Sequence, residues 1–251
     1  MSARGTVHLV GAGPGAPDLL TVRAARLLGE ADIVFHDALI HPEVIALSSG
    51  IKVPVGKRSG RHSTAQRFIN KQLADAARVH RTVVRLKGGD PMLFGRAHEE
   101  IAYLQALGVA VEVVPGVTAA LAASADLRVS LTRRGLSRSV TFVTPRVGAG
   151  ERDSSWVAAV LAADTAAIYM GAGEAQAISA ALIGAGMSPA TPVAVVESAS
   201  LPGTTCSFGV LADLPRLAAS SGGPMLILLG EVYAAAAQAA YEVRRSASQS
   251  A

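Results

Sequence analysis

Residues 7–35 read VHLVGAGPGAPDLLTVRAARLLGEADIVF. A short run of β-branched and apolar residues from Val7 comes first, and the glycine-rich loop GAGPGA from Gly11 follows it. Apolar residues then recur at three- and four-residue spacing from Asp18, a residue suited to capping a helix, before a second short apolar run begins at Asp32. This alternation predicts a strand, a helix and a second strand, the repeating unit of parallel α/β proteins.

The same alternation continues along the whole chain. Helical spacing recurs in the segments from Ser63, a second candidate cap, and from Ala97. The predicted strands are VHLV from Val7, DIVF from Asp32, KVPV from Lys52, TVVRL from Thr82, VAVEVV from Val109, SVTFVT from Ser139, TAAIYM from Thr165, PVAVVE from Pro192, TTCSFGVL from Thr204 and PMLILLG from Pro224.

These segments predict an α/β fold of two αβα domains with about five strands each. The stretch from Pro115 to Gly135 changes from extended to helical to basic character and marks the boundary, so we expect domains at 1–116 and 117–245. No long helix separates the last two strands, which favours a hairpin or a mixed sheet there. The alanine-rich residues 232–245 predict a final helix, and residues 246–251 predict a disordered tail.

Composition excludes several classes of protein. Half of the 251 residues are apolar and 17% are charged, which argues against a disordered chain or a coiled coil. The net charge of +4 suits an acidic small molecule, whereas the 4% of aromatic residues are not interleaved with basic ones, so we expect no nucleic acid partner.

The expected location is the cytoplasm. Cys206 is the single cysteine and cannot form an intramolecular disulfide, which is consistent with a reducing compartment. No apolar stretch approaches the roughly 18 residues that span a bilayer, and the apolar run at the N-terminus is too short for a signal peptide. We therefore expect a soluble protein with no membrane partner.

The loop GAGPGA allows one interpretation as a dinucleotide site. It satisfies the pattern G-x-G-x-x-G/A, and the acidic residue Asp37 follows some twenty positions later. Pro14 and Pro17, however, each remove a backbone N–H from the region that would bind a diphosphate. The loop is therefore weak evidence for a nicotinamide cofactor, and a tight turn explains its small residues equally well.

Two further loops leave neighbouring predicted strands. Lys87–Pro91, KGGDP, follows the fourth strand, and Pro115–Thr118, PGVT, follows the fifth. Ligands collect at the carboxyl ends of parallel strands. Three small-residue loops with few phosphate-binding cations suit an adenosine-like ligand that lacks phosphates, for which S-adenosylmethionine is the common candidate.

Four motifs carry a resemblance to a known family: GAGPGAPDLLT, VGKRSGRHSTAQRFIN, VVRLKGGDPMLFGRAHEE and VEVVPGVTAA. With them the chain resembles the tetrapyrrole methylase superfamily over nearly its whole length, and in particular the uroporphyrinogen III C-methyltransferases within it. The resemblance implies two αβα domains with S-adenosylmethionine in the crevice between them, a homodimer, and no metal. It also implies methylation of uroporphyrinogen III at C2 and C7, giving precorrin-2 by way of precorrin-1.

The resemblance further implies a set of site residues. The residues with implied catalytic roles are Asp37, Lys57, Arg96 and Glu99, of which Asp37 and Lys57 form an acid–base pair. The implied substrate contacts are Arg96, Glu99 and Arg134. The implied cofactor contacts are Pro14, Gly88, Gly89, Asp90, Leu93, Thr118, Ala119, Met170 and Ala199.

Each of these residues also has a structural interpretation. Asp37 is placed to cap a helix over HPEVIAL, Lys57 is a typical solvated charge, and Arg96 with Glu99 is an ordinary helix-surface pair. Leu93 and Met170 are typical core residues, and for Met170 the core interpretation is favoured from sequence alone. The basic residues Lys57, Arg58 and Arg61, together with Arg96 and Arg134, suit the carboxylates of the substrate.

The chain departs from the family pattern at several positions. Ala97 and His98 stand where GG is usual, and Arg133 stands where LTHR has its histidine. Pro145 and Ala199 each stand where the family has a glycine in a second cofactor loop.

The sequence is also compatible with three alternative functions. They are a sister methyltransferase acting on another corrin, a nicotinamide-dependent oxidoreductase based on GAGPGA, and a non-catalytic sensor of S-adenosylmethionine. The six histidines show no metal-ligand spacing, and no G-x-S-x-G motif supports a hydrolase.

Overall fold

The structure is a computed structural model that describes residues 5–55, 66–147, 154–219 and 222–249. It divides into two compact units, Met1–Ala119 and Ala120–Ala251. The division falls three residues after the position expected from sequence.

Unit 1 is built on a five-stranded sheet in which every pairing is parallel. The strands are β1 Thr6–Gly11, β2 Ile33–His36, β3 Ile51–Pro54, β4 Thr82–Lys87 and β5 Ala110–Val114. Their order in the sheet is β3-β2-β4-β1-β5, so β2, β4 and β1 lie in its interior. All five strands expected in this half of the chain are present.

Helices cover both faces of this sheet, because alternate residues of each strand point to opposite sides. Val7 and Leu9 of β1 belong to one buried cluster, whereas Val10 belongs to another. The first cluster includes residues of α3 and α4, and the second includes residues of α1 and α2. These helices are α1 Val22–Glu30, α2 Pro42–Ala46, α3 Gln66–Ala76 and α4 Ala97–Ala106.

The first helix begins later than the sequence predicted. Pro17–Leu19 forms a single 3₁₀ turn that contains Asp18, and the side chain that caps α1 is Thr21, whose Oγ1 accepts a hydrogen bond from Ala24 N at 3.2 Å. The prediction that Asp18 caps this helix is therefore wrong. Pro17 favours the start of a turn, and the chain leaves that turn in an extended conformation at Leu20. The other predicted cap, Ser63, lies outside the described residues.

Unit 2 contains a five-stranded mixed sheet of order β6-β7-β10-β8-β9. The pair β6 and β7 is parallel, whereas β10 is antiparallel to both β7 and β8, and β8 is antiparallel to β9. The strands are β6 Val140–Val143, β7 Thr165–Ile168, β8 Pro192–Glu197, β9 Thr205–Val210 and β10 Met225–Gly230. The α/β prediction with two five-stranded sheets is thus confirmed, and so is the mixed pairing near the end of the chain.

The helices of unit 2 pack against both faces of its sheet. One buried cluster joins Ile178 and Leu182 to Ile168 and Ile227, and the other contains Tyr233 on the opposite face. The helices are α5 Ala119–Leu127, whose first residue is the last of unit 1, α6 Trp156–Ala162, α7 Ala175–Gly184, α8 Leu214–Leu217 and α9 Ala234–Gln249.

The final helix extends further than expected. Residues 246–249, predicted as part of a disordered tail, continue α9 to Gln249. Ser246 Oγ donates a hydrogen bond to Val243 O at 2.8 Å, a bond within the helix that satisfies the hydroxyl. Among the described helices, none combines the length and the apolar character needed to cross a lipid bilayer.

Candidate active site

Two glycine loops of unit 1 are joined by backbone hydrogen bonds at the carboxyl ends of β1 and β4. Ala12 N donates to Lys87 O at 2.7 Å, and Gly13 and Gly89 exchange hydrogen bonds of 3.2 and 2.7 Å. Gly13 and Gly89 both have positive φ angles, of 71° and 64°, which glycine adopts without strain. The loops GAGPG and KGGDP therefore form one rigid surface.

The third loop joins the other two through contacts that leave no room for side chains. Gly116 N donates to Asp90 Oδ2 at 2.9 Å. A Cβ on Gly116 would lie 2.3 Å from Gly89 O and 2.9 Å from Gly11 Cα. The expected convergence of three small-residue loops is thus present, and we call Gly11–Pro14, Gly88–Asp90 and Pro115–Thr118 the glycine cluster.

The predicted cofactor residues of unit 1 lie in or beside the glycine cluster. Asp90 Oδ1 accepts a hydrogen bond from Met92 N at 2.8 Å, and Asp90 O accepts one from Leu93 N at 3.3 Å, so Asp90 holds the turn that follows β4. A Cβ on Gly88 would meet no atom within 4 Å, and one on Gly89 would meet only Thr118 Cα, at 3.9 Å. Pro14, Thr118 and Ala119 are partly exposed.

Asp37 lies just after β2 and is held by a buried arginine. Its Oδ1 accepts a hydrogen bond of 2.6 Å from Arg85 Nη2, and its side chain is one-third exposed. The interpretation of Asp37 as a helix cap is wrong, because α2 begins after His41 and no side chain caps it. The carboxylate is instead oriented from beneath by β4.

Arg85 belongs to a group of buried charges that was not predicted from the sequence. Arg85 Nε donates to Glu100 Oε1 at 3.0 Å, and Lys87 Nζ donates to Glu100 Oε2 at 3.1 Å. Gln66 Nε2 also donates to Glu100 Oε1 at 3.0 Å. We call Asp37, Gln66, Arg85, Lys87 and Glu100 the buried charge cluster.

The burial of this cluster follows from the local periodicities. Arg85 and Lys87 continue the face of β4 that begins at Val83 and that α3 and α4 cover. Glu100 lies between Ala97 and Leu104 on the inward stripe of α4 and has no exposed surface. The sequence did contain one indication of this cluster, namely two cations inside an apolar strand. Buried cations are almost always paired, so these two residues predict buried carboxylate partners.

The charges in the cluster balance, because two cations face two carboxylates. Burial, together with the nearby charge of Arg85, lowers the pKa of Lys87, while Glu100 opposes that change. Arg85, Lys87 and Glu100 are almost fully buried, so removing the charge of any one of them leaves an uncompensated charge in the interior, which is strongly destabilising.

Arg96 and Glu99 form a bidentate pair at the start of α4. Arg96 Nε donates to Glu99 Oε1 at 2.7 Å and Arg96 Nη2 to Glu99 Oε2 at 2.8 Å. These hydrogen bonds hold the pKa of Glu99 below its ordinary value. Asn70 Nδ2 donates to Glu99 O at 3.3 Å, which ties the pair to α3.

The backbone before this pair is strained. Phe94 and Arg96 have φ angles of 53° and 55°, a left-handed conformation that is costly for residues other than glycine. Gly95 lies between them, where a Cβ would meet Pro91 O at 2.5 Å. Strain of this kind is concentrated at functional sites, which supports a role for Arg96 beyond helix-surface pairing. His98, by contrast, lies exposed on α4.

Of the remaining basic residues expected at the site, the structure describes Arg134 alone. Lys57, Arg58 and Arg61 lie outside the described residues. Arg134 lies exposed at the tip of a turn in unit 2 that Arg133 and Ser137 close with reciprocal backbone hydrogen bonds of 2.9 and 2.8 Å.

Met170 and Ala199 follow β7 and β8 in unit 2. These two strands are both antiparallel to β10, so their carboxyl ends lie at the same edge of the sheet with β10 between them. Met170 is 39% exposed with a φ of 56°, which rules out the core interpretation favoured from sequence. Ala199 is buried between Ser198 and Ser200, whose φ angles are 53° and 69°. Strained backbone at Met170 and on both sides of Ala199 is typical of a functional site and supports a role for this edge of the sheet.

Comparison with known proteins identifies the family. The model of the tetrapyrrole (corrin/porphyrin) methylases matches residues 6–215. The chain belongs to this family. The resemblance found in the sequence motifs is therefore confirmed.

Individual relatives extend over most of the chain. It is 44% identical over 232 residues to a sirohaem synthase of Chromobacterium violaceum, an alignment that covers 91% of this chain and 49% of that protein. The chain thus spans about half the length of this curated relative.

Solved structures of the family match nearly end to end. A uroporphyrin-III C-methyl transferase from Thermus thermophilus, complexed with S-adenyl homocysteine, shares 41% identity at a TM-score of 0.82, covering 92% of this chain and 100% of that chain. The cobalamin biosynthetic enzyme cobalt precorrin-4 methyltransferase shares 29% identity at a TM-score of 0.79, covering 90% of this chain and 95% of that chain.

Proposed function

We propose that this protein is an S-adenosylmethionine-dependent C-methyltransferase that converts uroporphyrinogen III to precorrin-2 by way of precorrin-1. The observation that carries the proposal is the end-to-end likeness to the Thermus thermophilus enzyme, whose structure contains S-adenyl homocysteine. The motifs around the glycine cluster and the buried charge cluster support the same substrate.

The glycine cluster has the chemistry to hold S-adenosylmethionine. Its polar groups are mainly backbone N–H and C=O groups, with no cation in its three loops, which fits a nucleoside without phosphates. The open space beside Gly88, where a Cβ would meet nothing within 4 Å, leaves room for a ligand against the backbone. Pro14, Gly88, Gly89, Asp90, Leu93, Thr118 and Ala119 are the residues proposed to contact it, whereas Met170 and Ala199 stay predictions from the resemblance.

The same loops fit a dinucleotide poorly. A diphosphate binds where a glycine loop leads directly into the N-terminus of a helix. Here the loop leads into the 3₁₀ turn Pro17–Leu19, and α1 begins only at Val22. This separation, with the N–H groups lost at Pro14 and Pro17, counts against the nicotinamide alternative.

The bonds that break and form in the methyl transfer define what the protein must do. When bound, S-adenosylmethionine supplies a methyl group whose bond to sulfur breaks as the new carbon–carbon bond forms, with the electron pair of the old bond staying on sulfur. The substrate carbon provides both electrons of the new bond, so the macrocycle becomes cationic and then loses a proton. The protein's tasks are alignment of the reacting atoms and acceptance of that proton.

Asp37 is the proposed proton acceptor. Its carboxylate is partly exposed at the carboxyl end of β2, and Arg85 holds one of its oxygens. A carboxylate fixed in this way accepts a proton directly or through one water. Lys57, its proposed acid–base partner, stays a prediction from the resemblance.

Arg96 and Glu99 are proposed to orient the substrate. Uroporphyrinogen III carries acetate and propionate groups, and a guanidinium binds carboxylates through two parallel hydrogen bonds. The strained backbone presents Arg96 on the surface, already held by Glu99, at the start of α4. Arg134 is proposed as a further contact for these carboxylates.

A sister methyltransferase that acts on a later corrin is the second candidate. The likeness to cobalt precorrin-4 methyltransferase favours it, although at a lower identity than that to the Thermus thermophilus enzyme. The two candidates predict the same donor and different acceptors.

The test is to incubate the purified protein anaerobically with uroporphyrinogen III and isotopically labelled S-adenosylmethionine, and to count the labelled methyl groups on the product by mass spectrometry. We expect one labelled methyl group early and two at completion. A protein that binds S-adenosylhomocysteine in calorimetry but labels only a later corrin would establish the second candidate instead. Quenching of NADH fluorescence on adding the protein, without methyl transfer, would support the oxidoreductase.

A further inference from the structure

The guanidinium of Arg85 is held on three sides. Nε donates to Glu100 Oε1 at 3.0 Å, Nη1 donates to Leu86 O at 3.1 Å, and Nη2 donates to Asp37 Oδ1 at 2.6 Å. Arg85 is only 2% exposed. Because a guanidinium is planar and rigid, fixing Nε and Nη1 also fixes the direction in which Nη2 points.

Glu100 is the anchor of this arrangement. It has no exposed surface, and its two oxygens accept hydrogen bonds from Arg85, Lys87 and Gln66. A carboxylate with donors from β4 and from α3 has little freedom to rotate. Arg85 bonds to both Glu100 and Asp37, so the position of Glu100 affects that of Asp37 through Arg85.

The contact with Arg85 engages one oxygen of Asp37. Among the described residues, the Asp37 carboxylate accepts this one hydrogen bond, at Oδ1, so Oδ2 is the oxygen that we assign to proton acceptance. The other contact of this segment is with the backbone, where His36 Nδ1 lies 3.3 Å from Asp37 O. The rotamer of Asp37 therefore depends on Arg85.

We propose that Arg85 and Glu100 are positioning residues that fix the Asp37 carboxylate for proton acceptance. The inference rests on the proposed function, because it assumes that Asp37 takes a proton from the methylated macrocycle. It assigns a role to two residues of β4 and α4 that do not themselves touch the substrate. The geometry that carries it is the chain of hydrogen bonds from Glu100 to Arg85 to Asp37.

Two conservative variants test the positioning. Arg85→Lys keeps the positive charge but replaces the planar guanidinium, which donates in three directions, by a single ammonium group. Glu100→Asp keeps the negative charge but shortens the side chain by one methylene. Arg26→Lys is the matched control, because Arg26 pairs with Glu30 on the exposed surface of α1. If Arg85→Lys does not fold, Glu100→Asp tests the same chain of contacts.

The first readout is structural and does not depend on turnover. We expect crystal structures of Arg85→Lys and Glu100→Asp to show the Asp37 carboxylate rotated from its position in the parent protein, with the glycine cluster unchanged. An Asp37 carboxylate that keeps its position in the variants would overturn the proposal.

The second readout separates positioning from folding. In single-turnover methyl transfer, we expect Arg85→Lys to lower the rate about 10- to 100-fold, since misplacement by about 1 Å costs up to about 100-fold. The KM for S-adenosylmethionine should stay within about twofold of the parent value, since no member of this chain of contacts is proposed to touch the donor. Arg26→Lys should leave both values unchanged.

A double-mutant cycle gives the decisive comparison. If Arg85 acts through Asp37, then Arg85→Lys should slow the Asp37→Asn variant far less than it slows the parent protein. Fully additive losses would show that Arg85 acts independently of Asp37 and would overturn the proposal. A parent protein that methylates no tetrapyrrole, with Asp37 nevertheless displaced in Arg85→Lys, would refute the proposed function and leave the positioning itself established.

Discussion

Asp32 and Asp164 make the same contact in the two units. Asp32 precedes β2, and its Oδ2 accepts hydrogen bonds from Arg81 N and Thr82 N at the start of the neighbouring strand β4. Asp164 precedes β7, and its Oδ2 accepts hydrogen bonds from Arg138 N and Ser139 N at the start of β6. Each aspartate thereby fixes the first residues of two adjacent parallel strands.

These contacts predict a stability that depends on pH. Backbone hydrogen bonds, from Thr82 first and then Arg81, lower the pKa of Asp32, and those from Arg138, together with Ser139, lower the pKa of Asp164. A carboxylate whose pKa is lower in the folded state stabilises the fold above its unfolded pKa of 3.8 and loses that effect as the pH falls through the folded pKa. We expect the melting temperature of the double variant Asp32→Asn/Asp164→Asn to fall less steeply below pH 3.8 than that of the parent.

Thermal unfolding monitored by circular dichroism measures this difference. Asp18→Asn is the control, since no hydrogen bond to its carboxylate is present among the described residues. Parallel melting curves for the parent and the double variant across the acid range would refute the prediction.

Gly116→Ala should destabilise unit 1. The added methyl group would lie 2.3 Å from Gly89 O, a backbone atom that accepts a hydrogen bond from Gly13 N. We expect a loss of about 1–3 kcal/mol in the free energy of unfolding, as for other overpacked positions, and weaker binding of S-adenosylhomocysteine. Denaturant unfolding and calorimetry measure the two effects.

Gly88→Ala is the matched comparison, since a Cβ there meets no atom within 4 Å. It should retain the stability of the parent and lose affinity for S-adenosylhomocysteine if the open space beside Gly88 holds the ligand. Unchanged affinity would remove Gly88 from the proposed cofactor contacts.

Asp37→Asn should abolish most methyl transfer while preserving the donor site. An amide cannot accept the proton, and general-base catalysis contributes about 10²- to 10⁴-fold, so we expect a loss of that size. Calorimetry with S-adenosylhomocysteine should give the parent affinity. A variant that turns over at a near-parent rate would remove Asp37 from the acid–base role.

Arg96→Ala should weaken binding of the substrate. Loss of a charge-assisted hydrogen bond costs about 1.5–3 kcal/mol, which corresponds to a rise of about 10- to 150-fold in KM for uroporphyrinogen III. Arg26→Ala breaks a comparable exposed pair, with Glu30, and should leave KM unchanged. Steady-state kinetics at varied substrate concentration distinguishes the two variants, and equal KM values would refute the placement of Arg96.

The strands were predictable because each is a short apolar run bounded by turn residues. The first residues of the helices were harder to predict. Asp18 and Thr21 are both suitable N-cap residues for α1, and only the extended backbone at Leu20 decides between them. The end of α9 was missed because serine and glutamine after Arg245 are typical of both tails and helices.

The site was predictable where its chemistry lies in contiguous motifs, as in the glycine loops. The buried charge cluster was not, because Gln66, Arg85 and Glu100 come from three separate elements that only the packing of α3 and α4 on β4 brings together. Met170 was misjudged as core because a methionine after an apolar strand gives no sign of its positive φ.

The buried charge cluster also constrains any effort to engineer this chain toward other macrocycles. The positive and negative charges of this cluster are equal in number. A library that randomises Arg85, Lys87 or Glu100 one at a time will therefore consist mostly of variants with an unpaired buried charge. Exchanges made in compensating pairs keep the interior neutral. Single substitutions in unit 1 are therefore better tolerated at the exposed end of α4 near Arg96, whereas Arg85, Lys87 and Glu100 are best kept or exchanged together.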